Sequence, residues 1–141
     1  MSIIESLYQY FLDCPLLDGR NINVDYLPAE EQEYSIEPTP AAPVIKQYTN
    51  GDSIRQYQFI FGSREYYSEN VRENLNNNSF YEQFSDWVQK QSRNGVLPKL
   101  PEKMSAISME TLTQGYLYYG DTENAKYQIQ CKLTYYQEKG E

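Results

Sequence analysis

The sequence predicts an α+β fold in two layers, one mixed or antiparallel sheet with two main helices packed on one face. Three observations predict it. Apolar residues recur at helical spacing twice, as Ile4, Leu7, Tyr8 and Phe11 and again as Phe80, Phe84, Trp87 and Val88. The stretch AKYQIQCKLTYYQ (125–137) alternates as a strand does. Ala125, Tyr127, Ile129, Cys131, Leu133 and Tyr135 fall on one side of it, and Lys126, Gln128, Gln130, Lys132, Thr134 and Tyr136 on the other. Finally, Asn50-Gly51 stands between two β-rich runs, the signature of a hairpin turn. A length of 141 residues suits one domain spanning 1–141.

Each element has its own warrant. Ser2-Ile3-Ile4-Glu5 reads as a capping box and Pro15 stops the pattern, giving a helix over about 2–13. INVDYL (22–27) reads as a short strand after the Asp18-Gly19 turn. PAEEQEYSIEPTPAAP (28–43) holds four of the seven prolines and a run of acids. Proline lacks an amide donor, so this stretch reads as an extended arm along an edge, or as a plain surface loop. Residues 44–66 form the hairpin, with Tyr57, Phe59 and Phe61 on one face and Gln56, Gln58 and Ile60 on the other. The second helix is expected over 76–95, opened by the cap-forming Asn run and closed by Arg93 and Gly95. A proline-punctuated link (96–103) leads to two last β segments, 104–120 and 125–137, joined by the turn Gly120–Asn124.

Register in the last strand is worth most. Burying its five largest core-side residues stabilises by on the order of 10 kcal/mol, an upper figure comparable to a domain's net stability. A slip by one residue exchanges the faces and loses most of that.

The composition excludes several function classes. Net charge is −8, and residues 1–50 hold eight carboxylates against Arg20 and Lys46. No cluster of Lys and Arg exists to follow a phosphate backbone, so tight nucleic-acid binding is not expected. Mean hydropathy is low (−0.76), but 15% aromatic content, with 15 tyrosines, indicates a folded chain. The N-terminal stretch lacks a basic region followed by a long apolar run, so neither a secretion signal nor a membrane span is expected there. Cys131 lies on the apolar side of its strand, which favours a buried thiol; a Cys14–Cys131 disulfide stays open.

The sequence contains no histidine, which removes Ser-His and Cys-His nucleophile pairs and every imidazole metal site. No nucleophile elbow, Walker loop or dinucleotide fingerprint is present. Glu30, Glu31 and Glu33 could assist a hard cation or general acid–base chemistry, but their spacing defines neither. Glu65-Tyr66-Tyr67 beside Arg64 could form a small polar pocket. No catalytic, cofactor or metal residue is assigned.

YSIEPTPAAPVIKQYTNG, RQYQFIFGSREYYSENVRENLNNNSFYEQFSDWVQKQSRNGVLPKLP and GYLYYGDTENAKYQIQCKLTYY resemble, in that order, small minor-capsid or tail-terminator proteins of tailed phages and prophages, and SLYQYFLDCPLL fits their first helix. The resemblance covers most of the chain. It implies a virion protein of the head–tail junction, made in the bacterial host cytoplasm. It implies a homo-oligomeric ring, usually a hexamer, that sits on the tail-tube protein, ends tube growth and receives a head-completion protein. It implies no cofactor.

A closed ring needs two unlike patches per subunit. The arm could supply one by lying on a neighbour's sheet edge, with Tyr34 and Ile36 as anchors and Pro38 and Pro40 keeping it extended. Gln128, Gln130 and Tyr136 on the polar side of the last strand are the other candidates, as subunit contact or as plain solvated surface. Glu30, Glu31 and Glu33 are candidates for an acidic lumen that repels DNA. Three alternatives remain: a small acidic binding module, an enzyme whose pocket the sequence hides, and an acidic mimic of nucleic acid.

Overall fold

A computed structural model describes residues 2–28, 33–66, 71–120 and 124–140. The chain runs α1 (Ile3–Leu12), a 3₁₀ turn (Pro15–Leu17), β1 (Ile22–Val24), β2 (Tyr34–Pro38), β3 (Val44–Gln47), β4 (Ser53–Tyr66), α2 (Val71–Arg93), β5 (Met104–Thr111), β6 (Tyr116–Gly120) and β7 (Asn124–Gln137). The architecture is α+β, with two helices on a seven-stranded mixed sheet.

Two 14-residue strands, β4 and β7, form the sheet's centre and pair antiparallel along their whole length. At about 3.3 Å per residue each spans roughly 45 Å, more than any one outer neighbour covers. Two short strands therefore lie along the outer side of each. β2 and β3 both pair with β4, and β5 and β6 both pair with β7. β1 joins β2 in parallel, the one departure from antiparallel pairing among the described residues.

Register follows the alternation in β7. Phe59, Phe61 and Ser63 stand opposite Cys131, Ile129 and Tyr127, so their side chains share the face that α1 and α2 cover. Leu7 and Phe11 of α1 are fully buried there, as are Phe84 and Val88 of α2. Phe84 stacks on Phe61 with ring centroids 4.4 Å apart and on Phe11 at 5.6 Å, while Phe11 reaches Phe59 at 5.9 Å. Such offset aromatic contacts add to area burial.

Four boundaries differ from expectation. β1 stops at Val24 because Asp25 takes a left-handed conformation (φ 72°), which a strand does not accommodate. The expected arm contains a strand: the Asn21 carbonyl accepts the Tyr34 amide, and the Asp25 amide donates to the Ile36 carbonyl. Pro38 closes that strand, where a missing donor costs least. The second helix begins at Val71, not at the Asn run. Asn78 Nδ2 instead donates to the Asn74 carbonyl one turn back (2.8 Å), which lets a cap-forming residue sit inside the helix. Lastly, segment 104–120 is two strands. Between them Gly115 passes so close to Tyr81 that an added Cβ would lie 2.2 Å from the tyrosine Cβ.

Candidate functional site

With both helices on one face, the opposite face and the two margins of the sheet are where a partner could meet this chain. Side chains of the open face come from the out-of-phase positions of each strand: Glu37, Gln58, Ile60, Tyr116 and the polar side of β7.

That face is internally bonded. Lys126 Nζ crosses β4 to meet Glu37 Oε2 at 2.8 Å, and Ser35 Oγ donates to the same carboxylate oxygen at 2.9 Å. The crossing needs Gly62: a Cβ there would lie 3.1 Å from Ser35 Oγ and 3.3 Å from Lys126 Cε. Gln128 is only 3% exposed, because Tyr116 of β6 lies over it. The Tyr116 hydroxyl accepts from Gln128 Nε2 (2.7 Å) and Gln130 Nε2 (3.2 Å). Lys132 pairs with Glu110 at 2.9 Å, so the charges of this face largely balance.

The two ion pairs should differ in worth. The Lys126 and Glu37 side chains keep 15% and 23% of their exposure, whereas Glu110 keeps 52%. Removing one member of a covered pair strands the other away from water, and exposed pairs contribute under about 1 kcal/mol. Lys126→Ala is expected to cost about 1–2 kcal/mol in denaturant melts, and Lys132→Ala less than half that. A double-mutant cycle with Glu37→Gln should show coupling only for Lys126.

The predicted interface residues separate into three groups. Tyr34 (1% exposed) and Ile36 (0%) lie in this chain's own core, so the expectation that they anchor on a neighbour is corrected. The Tyr34 ring sits between Phe61 and Phe80, at 5.6 and 5.7 Å, and filling that space inside the chain is what draws the arm in. Pro38 and Pro40 stay exposed beyond those anchors. Gln128 and Gln130 are held by Tyr116, as above. Tyr136 donates a short hydrogen bond to Asp52 Oδ2, and Asp52 Oδ1 accepts the Lys139 amide (2.7 Å). This fastens the end of β7 and its tail onto the β3–β4 turn. The Tyr136 bond holds the Asp52 carboxyl below its ordinary range, and the same bond pushes Tyr136 up to about 12. Of the acidic candidates, Glu30 and Glu31 lie outside the described residues. Glu33 accepts from Asn21 Nδ2 (3.3 Å) and Asn23 Nδ2 (3.4 Å), which ties it to β1.

A polar cluster on the helix side was legible only in part. Tyr81, fully buried, shares a 2.6 Å hydrogen bond with Ser63 Oγ and donates to the Tyr127 carbonyl at 3.0 Å. Arg20 Nη1 donates to the Tyr34 hydroxyl (3.3 Å), and burial raises the Glu65 carboxyl against the opposing pull of Arg20. Perturbed acids in clefts are candidate catalysts. Here neither Glu65, Arg20 nor Tyr34 lines any of the three described clefts. The largest of these, about 580 Å³ between α2 and β5, has three of its lining hydroxyls engaged: Ser92 Oγ accepts the Met109 amide, and Ser85 bonds Thr111. Among the described residues no group of three or more acids and cysteines is placed to hold a metal, and no helix is long and apolar enough to cross a membrane. Both cysteines are free and buried.

The margins differ from the open face. β3 is exposed throughout and β6 at four of its five residues, which leaves Val44 and Ile45 on one margin and Leu117, Tyr118 and Tyr119 on the other in contact with water. Large exposed apolar side chains in clusters mark interaction sites more than singly scattered ones do.

No protein-family model matches this chain, and no curated protein matches it.

Proposed function

We propose that this chain is a structural subunit of the head–tail junction of a tailed phage or prophage, closing into a ring that ends tail-tube growth and receives the head. The observation that carries the proposal is the form of the subunit. A two-layer slab satisfies its own open face, buries its helices on the other, and leaves two unlike apolar margins at opposite sides of one sheet. Unlike patches on opposite sides are what head-to-tail closure requires, whereas a two-fold dimer needs one self-complementary patch. The order of sequence stretches that resemble tail terminators supplies the specific role. The groups that could look catalytic, Glu65 and the hydroxyls beside α2, are engaged in holding the fold.

The test is sedimentation and negative-stain microscopy of concentrated protein, alone and mixed with a phage tail-tube protein. Rings with a central hole, or tubes that stop growing when the chain is added, are the expected results. A monomer in both arms with tube length unchanged overturns the proposal.

A further inference from the structure

Three of the sheet's short outer strands carry a register break, and each break inserts one large apolar residue. β3 inserts Ile45 between Val44 and Lys46, β5 inserts Ile107 between Ala106 and Ser108, and β6 inserts Tyr118 between Leu117 and Tyr119. The inserted residues are 50%, 46% and 63% exposed. A bulge interrupts the hydrogen-bonding ladder and re-aims a side chain. Proteins use bulges and charges to prevent uncontrolled strand addition. Here the bulges remove the ladder but present apolar knobs, so they favour a side-chain contact and oppose open-ended sheet growth.

The margins are not equivalent. On β5 the Met109 amide is already taken by Ser92 Oγ of α2, which closes part of that edge. β3 and β6 remain. They lie at diagonal corners of the sheet, β3 against the first residues of β4 and β6 against the first residues of β7. Neither Val44–Gln47 nor Tyr116–Gly120 contains a carboxylate, and β3 contributes Lys46. In a chain of net charge −8, another copy is repelled except where carboxylates are missing. Next to β3, Asp52 is already engaged by Tyr136 and the Lys139 amide. Within the chain Lys46 Nζ already lies 5.0 Å over the Tyr48 ring and Lys126 Nζ 5.4 Å over Tyr118, so the exposed Tyr119 ring is the aromatic face β6 offers to a neighbour's cation.

We infer that β6 of one copy packs on β3 of the next, with Tyr118 and Tyr119 set against Val44, Ile45 and Lys46, as the repeating head-to-tail contact between copies of this chain. The inference rests on the ring proposal for its biological setting and names the strands that make the contact.

A double variant, Ile45→Cys with Tyr118→Cys, tests it. Both changes fall on exposed side chains and the native cysteines are buried, so a short bismaleimide should join only the introduced thiols. Denaturing gels should show a ladder beyond dimer for the double variant, and no species larger than dimer for either single variant. Microscopy of the same samples separates this inference from the ring proposal. Rings without a ladder overturn the β6–β3 contact while the ring stands. A ladder made of open chains supports the contact and overturns ring closure. Monomer by both methods overturns the contact, and the ring proposal with it when tube length is also unchanged in the tail-tube arm. As a second measurement, Tyr118→Glu, which places a carboxylate in the acid-free strip, should lower the sedimentation coefficient to that of a monomer with the circular dichroism spectrum unchanged. An unchanged coefficient counts against the contact.

Discussion

Phe84→Ala is expected to cost 3–5 kcal/mol, the range for truncating a buried phenylalanine, and so to remove a large part of a net stability of about 5–15 kcal/mol. Phe84 is fully buried at the place where both helices meet the sheet. Its ring stacks on Phe61 of β4 and Phe11 of α1 and lies 6.2 Å from Phe80 and 6.5 Å from Tyr81. Deletion therefore opens a cavity lined by three elements, and rigid rings on long strands cannot relax far into it. At a few degrees per kcal/mol for a chain of this size, the melting temperature should fall by roughly 10–20 °C. Phe84→Leu keeps most of the volume and should lose about 1–2 kcal/mol. Leu75→Ser, on the same helix but 63% exposed, should change stability by less than about 0.5 kcal/mol. Urea melts of the three variants decide it. An alanine variant within about 1 kcal/mol of the parent would mean that α2 is not held at Phe84.

What was legible in the sequence depended on whether its cause was local. The register of β7 is written in its alternation, and burial of one face left no second solution. Asn50-Gly51 marked its hairpin because the glycine takes positive φ there (97°). β2 was hidden because its stabilisation is non-local: the partners that draw Tyr34 and Ile36 inward are Phe61 and Phe80, far along the chain. Proline content argued against a strand without saying that a strand could end on one. The early start of α2 was hidden by the same logic in reverse. Asparagine prefers helix ends, yet the helix runs through four of them, with Asn78 Nδ2 bonded to the Asn74 carbonyl inside it. Tyr81 was missed because the helical stripe was drawn through Phe80, Phe84, Trp87 and Val88, and no local pattern shows that its hydroxyl has buried partners in Ser63 and the Tyr127 carbonyl.

The bulges did leave a mark. Val44-Ile45, Ala106-Ile107 and Leu117-Tyr118 are adjacent apolar pairs, and each pair sits at a register break. As for the open face, no sequence pattern places Tyr116 over Gln128 or Lys126 across Gly62. The polar side of β7 is bonded within the chain through Lys126, Gln128, Gln130, Lys132 and Tyr136, which alternation alone does not reveal.

Alkaline pH should unfold the protein through its tyrosines. Burial pushes Tyr10 up to about 12 and raises Tyr34, Tyr57, Tyr81 and Tyr135; the bond to Asp52 pushes Tyr136 up to about 12. Each of these phenols has a folded-state pKa above its unfolded value of about 10. The stability they contribute is thus fully present below about pH 10 and is lost as pH rises through the folded values, a window from about 10 to 12 and above. Absorbance at 295 nm should rise in two phases, the later one coming from the buried set together with loss of the far-ultraviolet circular dichroism signal. Tyr81 separates this from general alkaline damage. Tyr81→Phe gives up two buried hydrogen bonds and should cost about 1–3 kcal/mol at pH 7. It also removes a phenol that cannot ionise without leaving the core, so the variant should lose proportionally less stability between pH 9 and 12 than the parent does. If all 15 tyrosines ionise in one phase near pH 10 while the fold persists, the phenols are not held as the structure places them.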